Sequence, residues 1–379
     1  GLICPGPCGP EASWSGLGRP EHKGIIAADN LLQVVNHLKG VQLIPAPEAE
    51  LTDFASTGPD MSDIKGQEEA RLALEVAAAG GHNLLMSGPP GAGKSMLAAR
   101  LVGILPPLEP QERLETSMIG SLAGRVFQKE HAKAGSMTTQ RPFRAPHHSA
   151  SMPALIGGGR QAQPGEVSLA HNGVLFLDEL PEFSRQSLDA LRQPIETGQV
   201  EVARAAAHVT YPSRFQLVAA MNPCRCGHAA DPELACHRIP HCIQDYLGKI
   251  SGPLLDRFDI RVSLPAVPLK EMIESHASET SEQIAARVRG ARQIQLMRND
   301  GCLNAHLDGD QLHTLARPDP AGQKLLEKAS EKKGLSARGF NRILRVARTL
   351  ADLEGAEVPG QPHIASAFLW RGMPIIGSS

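Results

Sequence analysis

Gly88-Pro89-Pro90-Gly91-Ala92-Gly93-Lys94-Ser95 decides the fold. The stretch satisfies G-x-x-x-x-G-K-[ST] at every fixed position. A buried-strand pattern, Leu84-Leu85-Met86, precedes it, and a helical pattern from Lys94 to Ile104 follows. A chance glycine-rich turn does not carry these flanks. Glycine permits backbone angles that aim successive N–H groups at phosphate oxygens. The helix beginning at Lys94 presents its positive end to the same anion. Lys94 is therefore expected to reach the β- and γ-phosphates of a nucleoside triphosphate, and the Ser95 hydroxyl to hold Mg²⁺.

Working outward, Val174-Leu175-Phe176-Leu177 is a second buried strand, and it ends in Asp178-Glu179. Adjacent carboxylates at the end of a buried strand repel each other unless a cation is near. Beside a phosphate loop, Asp178 is read as part of the Mg²⁺ shell and Glu179 as the group that polarises the attacking water. Gln216-Leu217-Val218-Ala219-Ala220 is a third strand, and Asn222 follows it. That amide is placed to orient water or touch the γ-phosphate; the alternative is a turn-forming Asn before Pro223. Short apolar strands alternating with helical patterns over residues 60–265 indicate an α/β fold with a mainly parallel sheet.

Composition agrees. The 379 residues contain 38 Lys and Arg against 40 Asp and Glu, so the net charge is -2, and no bulk polycation is present to hold nucleic acid by composition. Hydrophobic residues at 41% and charged residues at 21% indicate a globular chain. There is no apolar run of membrane-spanning length and no signal-peptide pattern, so a cytoplasmic location is expected. The chain starts at Gly1 rather than Met, which reads as a piece of a longer protein.

The flanks differ in character. Residues 1–57 hold a turn-rich opening, an apolar helical face from Asn30 to Lys39, a short strand expected at Val41 to Ile44, and a Pro-rich acidic linker. After Pro265 the pattern turns helical, with candidates at Glu271 to Asn299 and Gln323 to Lys333 and an amphipathic stripe at Arg338 to Leu353. Four of the seven cysteines, Cys224, Cys226, Cys236 and Cys242, crowd a loop with little apolar content. Bound as thiolates to a structural Zn²⁺, they would fix that loop; His228, His237 or His241 offers a substitute ligand, and unmetallated thiols or redox chemistry are the alternatives.

The motif order resembles the magnesium-chelatase-like AAA+ ATPases, in particular the ComM/YifB branch linked to bacterial transformation. The resemblance rests on Asp63-Ile64-Lys65-Gly66-Gln67, Gly80 to Met86, the phosphate loop, Arg141-Pro142-Phe143-Arg144-Ala145-Pro146-His147-His148, Gly165 to His171, Leu177 to Phe183, and Ser251 to Asp259. It spans nearly the whole chain. It implies an AAA+ P-loop core (αβα) over residues 58–267, an all-α lid over residues 268–379, and residues 1–57 as the end of a Lon-protease-like domain plus linker. It implies a homo-hexameric ring with ATP between subunits. Ile64 then borders adenine, Arg257 is the arginine finger reaching a neighbouring site, and Arg338 is the sensor-2 arginine. Two insertions are also family-like: a helix insert at about 141–160 and a hairpin at about 199–215. Both would face a pore, which makes Arg141, Arg144, His147, His148, Arg160 and Arg204 candidate contacts for branched or single-stranded DNA; the alternative is that these charges solvate loops or pair with acids. Cysteines are frequent in the family at the 224–242 loop.

The resemblance implies an ATP-driven motor for branch migration of DNA. A chelatase-type motor subunit and a nucleotide-binding switch with little turnover are the competing readings.

Overall fold

Five apolar strands form one parallel sheet: β1 (Leu84–Ser87), β2 (Phe143–Arg144), β3 (Val174–Leu177), β4 (Gln216–Met221) and β5 (Ile260–Ser263), in the order β5-β1-β4-β3-β2. The register sets Leu84 against Val218 and Ile260, and Phe176 against Val218. Strand residues alternate between two apolar layers, as a sheet covered on both faces requires. Leu84, Met86, Val174, Phe176, Val218, Ala220 and Val262 enter one layer; Leu85, Leu175, Leu177, Leu217, Ala219 and Met221 enter the other. Because all five strands run the same way, every strand exit lies at one edge, where ligands bind in open α/β sheets.

The coordinates are a computed structural model, and it describes residues 1–13, 24–48, 51–52, 58–123, 137–159, 162–204, 207–227, 241–268, 279–333 and 335–372. The chain divides into two compact units, Gly1–Thr57 with Pro107–Arg141, and Gly58–Pro106 with Pro142–Ser379. In the larger unit, α1 (Glu68–Gly80), α2 (Lys94–Ile104) and the C-terminal helices share the first apolar layer. Between β4 and β5 comes α3 (His241–Leu247), and after β5 come α4 (Ser281–Arg298), α5 (Ala337–Glu354) and α6 (Gln361–Gly372). The residues Ile284, Val288, Leu344, Ala347, Ile364 and Trp370 of these last three helices pack into the same cluster as β1. The helical region therefore continues the core that covers this face of the sheet. Among the described residues no helix is long and apolar enough to cross a membrane.

Three local expectations change. Phe143–Arg144, inside the stretch expected as an insert, is the edge strand of the main sheet, because Phe143 stacks on Phe176 and pairs with Val174. Val41 to Ile44 is not a strand: the Ile44 N–H donates to His37 Nδ1 at 2.8 Å and the chain turns back on its helix. The turn-rich opening does form a strand, Leu2–Pro5, paired in parallel with Ile25–Ala28. The hairpin is present, with Gln199–Arg204 antiparallel to Ala207–Pro212.

Entry to the larger unit is stitched by Asp60. Its carboxylate accepts from the Ser62 N–H at 2.8 Å and, through its other oxygen, from the Ser281 N–H at 3.1 Å. Ser281 Oγ accepts from the Met61 N–H at 2.8 Å, so this loop and the start of α4 hold each other. The Ser62 hydrogen bonds bring the Asp60 carboxyl down from 3.8 to about 2. A depressed carboxylate contributes stability that is complete above the unfolded value and lost as pH falls through the folded one. Asp60→Ala is expected to cost about 1 kcal/mol at neutral pH, as loss of a capping carboxylate does. Urea midpoints measured from neutral pH down to about pH 2 should show the gap to wild type closing below the unfolded value of 3.8; a constant gap would count against this role.

Candidate nucleotide site

The phosphate loop leaves β1 and runs straight into α2. Gly91 and Gly93 have φ of +79° and +86°, and a Cβ at either would meet open space, so the loop forms a concave, unfilled cradle. Lys94 opens α2 and is only 8% exposed. Its ammonium donates to the carbonyls of Gly88 at 2.7 Å and Pro89 at 2.8 Å, and to Asn222 Oδ1 at 3.1 Å. Burial pushes the Lys94 pKa down, while Asp178 and Glu179 act in the opposite sense. These three groups, far apart in sequence, therefore occupy one electrostatic site.

Ser95 Oγ donates to Asp178 Oδ2 at 2.6 Å, and Asp178 Oδ1 accepts from the Glu179 N–H at 2.9 Å. A hydroxyl and a carboxylate in contact at the edge of an open anion cradle are hard oxygen donors that suit Mg²⁺. Glu179 is exposed and takes a left-handed backbone with φ of 51°, a conformation that costs a non-glycine residue on the order of 1 kcal/mol. Its Oε2 lies 3.1 Å from His148 Nδ1. His148 lies against His147 with the rings tilted and centroids 4.1 Å apart, and it meets Phe183 edge-on.

Ile64 is buried beside a 3-10 turn, Met61–Asp63. Gln67, one turn on, has φ of 57°, and its amide donates to the Pro265 carbonyl at 2.6 Å. It thus connects the start of α1 to the exit of β5, a role its place in the motif did not disclose.

Arg257 and Arg338 lie in a second, separate cluster. The Arg257 guanidinium donates to the Pro253 carbonyl at 2.6 Å and pairs with Glu196; the residue is 6% exposed. Burial depresses its pKa; Glu196 opposes that, and the charges of Arg192, Arg338 and Arg342 add to it. Arg338 is exposed on the first turn of α5, and Arg342 donates to the Arg257 carbonyl at 3.2 Å. Among the described residues, neither Arg257 nor Arg338 bonds to Lys94, Ser95, Asp178 or Glu179.

Several of the basic side chains expected to touch DNA have other partners. Arg144 makes a two-pronged pair with Glu166 at 2.6 and 2.9 Å, and Arg141 makes one with Glu112 at 3.1 and 2.8 Å. His148 faces Glu179. Arg204 ends a hairpin strand, and Arg160 lies outside the described residues. Of the four cysteines, Cys224, Cys226 and Cys242 come together, with sulfurs all within 4.8 Å; Cys236, His228 and His237 lie outside the described residues. Tyr246, one turn after Cys242, escaped notice in the sequence. It is 3% exposed, and burial pushes its hydroxyl up to about 12 while the Asn222 main chain hydrogen-bonds to it.

The magnesium chelatase subunit ChlI family matches residues 60–272, and the subunit ChlI C-terminal family matches residues 278–371. The chain is 46% identical over 352 residues to the competence protein ComM of Haemophilus influenzae, covering 91% of this chain and 67% of that protein. It is 43% identical over 361 residues to the uncharacterized protein YifB of Escherichia coli, covering 94% and 69%. The magnesium-chelatase 38 kDa subunit of Cereibacter sphaeroides is more distant, at 23% over 328 residues, covering 80% and 88%. The two family matches run almost end to end through the sheet and the helices that cover it, so this chain belongs to the magnesium-chelatase-like AAA+ ATPases, alongside ComM and YifB.

Proposed function

We propose that the chain hydrolyses ATP with Mg²⁺ and acts as the motor of a homo-hexameric ring that moves branched or single-stranded DNA. The observation that carries the nucleotide half is the convergence of Lys94, Ser95, Asp178, Glu179 and Asn222 at one sheet edge. When ATP binds, Lys94 exchanges carbonyl and amide partners for phosphate oxygens. Ser95 and Asp178 would hold Mg²⁺, which when bound would supply charge neutralisation at the phosphates. Glu179 accepts the proton of the attacking water, and Asn222 orients that water. His148 holds the Glu179 carboxylate until the site is complete. Ile64 borders the adenine.

The ring half draws on the second cluster. Arg257, paired with Glu196 and within reach of the Arg338 charge, makes no bond to Lys94, Ser95, Asp178 or Glu179 among the described residues, which suits a finger serving an adjacent subunit, with Arg338 as the sensor-2 arginine of the lid. The helical region after residue 268 is then the lid, and the N-terminal residues 1–57 the end of a further domain. The DNA half draws on the kinship with a competence protein. Residues 141–160 and the hairpin would face the strand, with His147, Arg160 and Arg204 as its contacts, and Arg141 and Arg144 available once released from Glu112 and Glu166.

Lys94→Ala should abolish binding of a fluorescent ATP analogue. Glu179→Gln should keep that binding and lower turnover about 10²-fold or more, as loss of a general base does; hydrolysis at the wild-type rate would remove Glu179 from this role. Arg257→Ala should bind nucleotide without turning it over. Mixing it with Lys94→Ala subunits should restore part of the activity, because some interfaces then pair an intact loop with an intact finger. No recovery in mixtures that co-assemble would place the arginine's action within one subunit. Steady-state ATPase should rise with branched or single-stranded DNA, with particle size followed in parallel; a rate indifferent to every DNA tested would sink the DNA reading.

A further inference from the structure

A second centre adjoins the phosphate loop. β4 ends at Met221, Asn222 follows, and Cys224 and Cys226 come next. The chain then turns back, with the Gly227 N–H donating to the Cys224 carbonyl at 3.1 Å. Gly227 has φ of +87°, and a Cβ there would lie 2.7 Å from Cδ and 2.8 Å from Cγ of Pro90. The cysteine turn therefore rests directly on the phosphate loop. On its other side stands α3, whose second residue is Cys242.

The three sulfurs lie within 4.8 Å of one another, and Cys224 is fully buried. Apolar packing does not explain the arrangement, because the stretch Pro223-Cys224-Arg225-Cys226-Gly227 has no large apolar side chain. Among the described residues, α3 buries Ile243 and Tyr246 and packs Leu247 against the core. Cys224 and Cys226 sulfurs stand 3.0 Å apart, well beyond the roughly 2.05 Å of a disulfide. Thiolates around a tetrahedral cation with bonds of about 2.3 Å stand nearly 4 Å apart, so a small opening of this pair admits an ion.

We infer that Cys224, Cys226 and Cys242 bind one thiophilic cation of the Zn²⁺ class, and that this ion holds the Asn222–Gly227 turn against Pro90 in the form that accepts ATP. Each thiol gives its proton to solvent as its sulfur takes up the metal, with no change of oxidation state. The coupling has a short path. Asn222 accepts from Lys94, its main chain bonds to Tyr246, and Tyr246 lies on the same helix as Cys242. Loss of the ion frees α3 from the turn, and with it the amide that positions Lys94. The coupling rests on the ATP-site reading above; the metal site does not.

The test uses the whole chain, purified under reducing conditions. Elemental analysis should find one zinc per chain. An organomercurial should release it into a colorimetric chelator, and affinity for a fluorescent ATP analogue should then fall and recover when thiol reductant and Zn²⁺ are restored. Co²⁺ in place of zinc should give the intense visible and near-ultraviolet bands of tetrahedral thiolate ligation. Cys242→Ser should lose the ion, whereas Cys302→Ser, at an exposed position, should keep it. Protein that takes up no metal, or an intact mass short of a pair of hydrogens and so disulfide-bonded, overturns the site. Metal that can be removed and replaced without changing nucleotide affinity overturns the coupling. Absence of nucleotide binding in both loaded and stripped protein overturns the ATP reading and the coupling together, and the metal count still stands on its own.

Discussion

A buried ammonium at the edge of a parallel sheet is the constraint around which this molecule is organised. Lys94 has little water around it, and burying a charge is costly unless it is hydrogen-bonded and paired. Two carbonyls of its own loop and the Asn222 amide provide the hydrogen bonds, and Asp178 and Glu179 provide the opposing field. Those partners come from the exits of three strands. They meet because β1, β3 and β4 are adjacent and run in parallel, so a loop, an acid pair and an amide reach the same edge.

The same economy ties the helical region to the sheet. Asp259, just before β5, is buried. Burial works to raise its pKa, yet the neighbouring His82, the Arg342 charge and the Asn83 N–H hold it well below the usual carboxylate range. Arg342 belongs to α5, and His82 Nε2 shares a 2.8 Å hydrogen bond with Thr349 Oγ1 of the same helix. Asn304 and Arg298 extend the network through Asp352. Buried ion pairs of this kind add little net stability against an apolar alternative, but removing one partner is costly. They fix the angle at which α5 meets the sheet, and with it the place where Arg338 emerges beside Arg257.

Much of the candidate nucleotide site was legible in residues alone. The phosphate loop, the acid pair and the strand before Asn222 are local patterns, because each needs only a strand, its exit and the next few residues. The helix bounds around Lys94 and Arg338 were legible for the same reason. What misled was short and nonlocal. Phe143–Arg144 is a strand only because Phe176 waits beside it. The basic residues that looked available to DNA include two already paired to glutamates some 22 and 29 positions away.

The sequence by itself determined an anion cradle, the acids that serve it and the alternation of strands and helices that makes a parallel sheet. Tertiary structure alone decided that His148 faces Glu179, that the Arg338 charge acts on the Arg257–Glu196 pair, and that the turn at Gly227 meets the phosphate loop at Pro90. The physical reason is range. Backbone angles and side-chain periodicity act over a few residues and leave their mark in the local pattern. The pairing of charges depends on which strand exits the packed sheet brings within a few ångströms, and no local pattern records that.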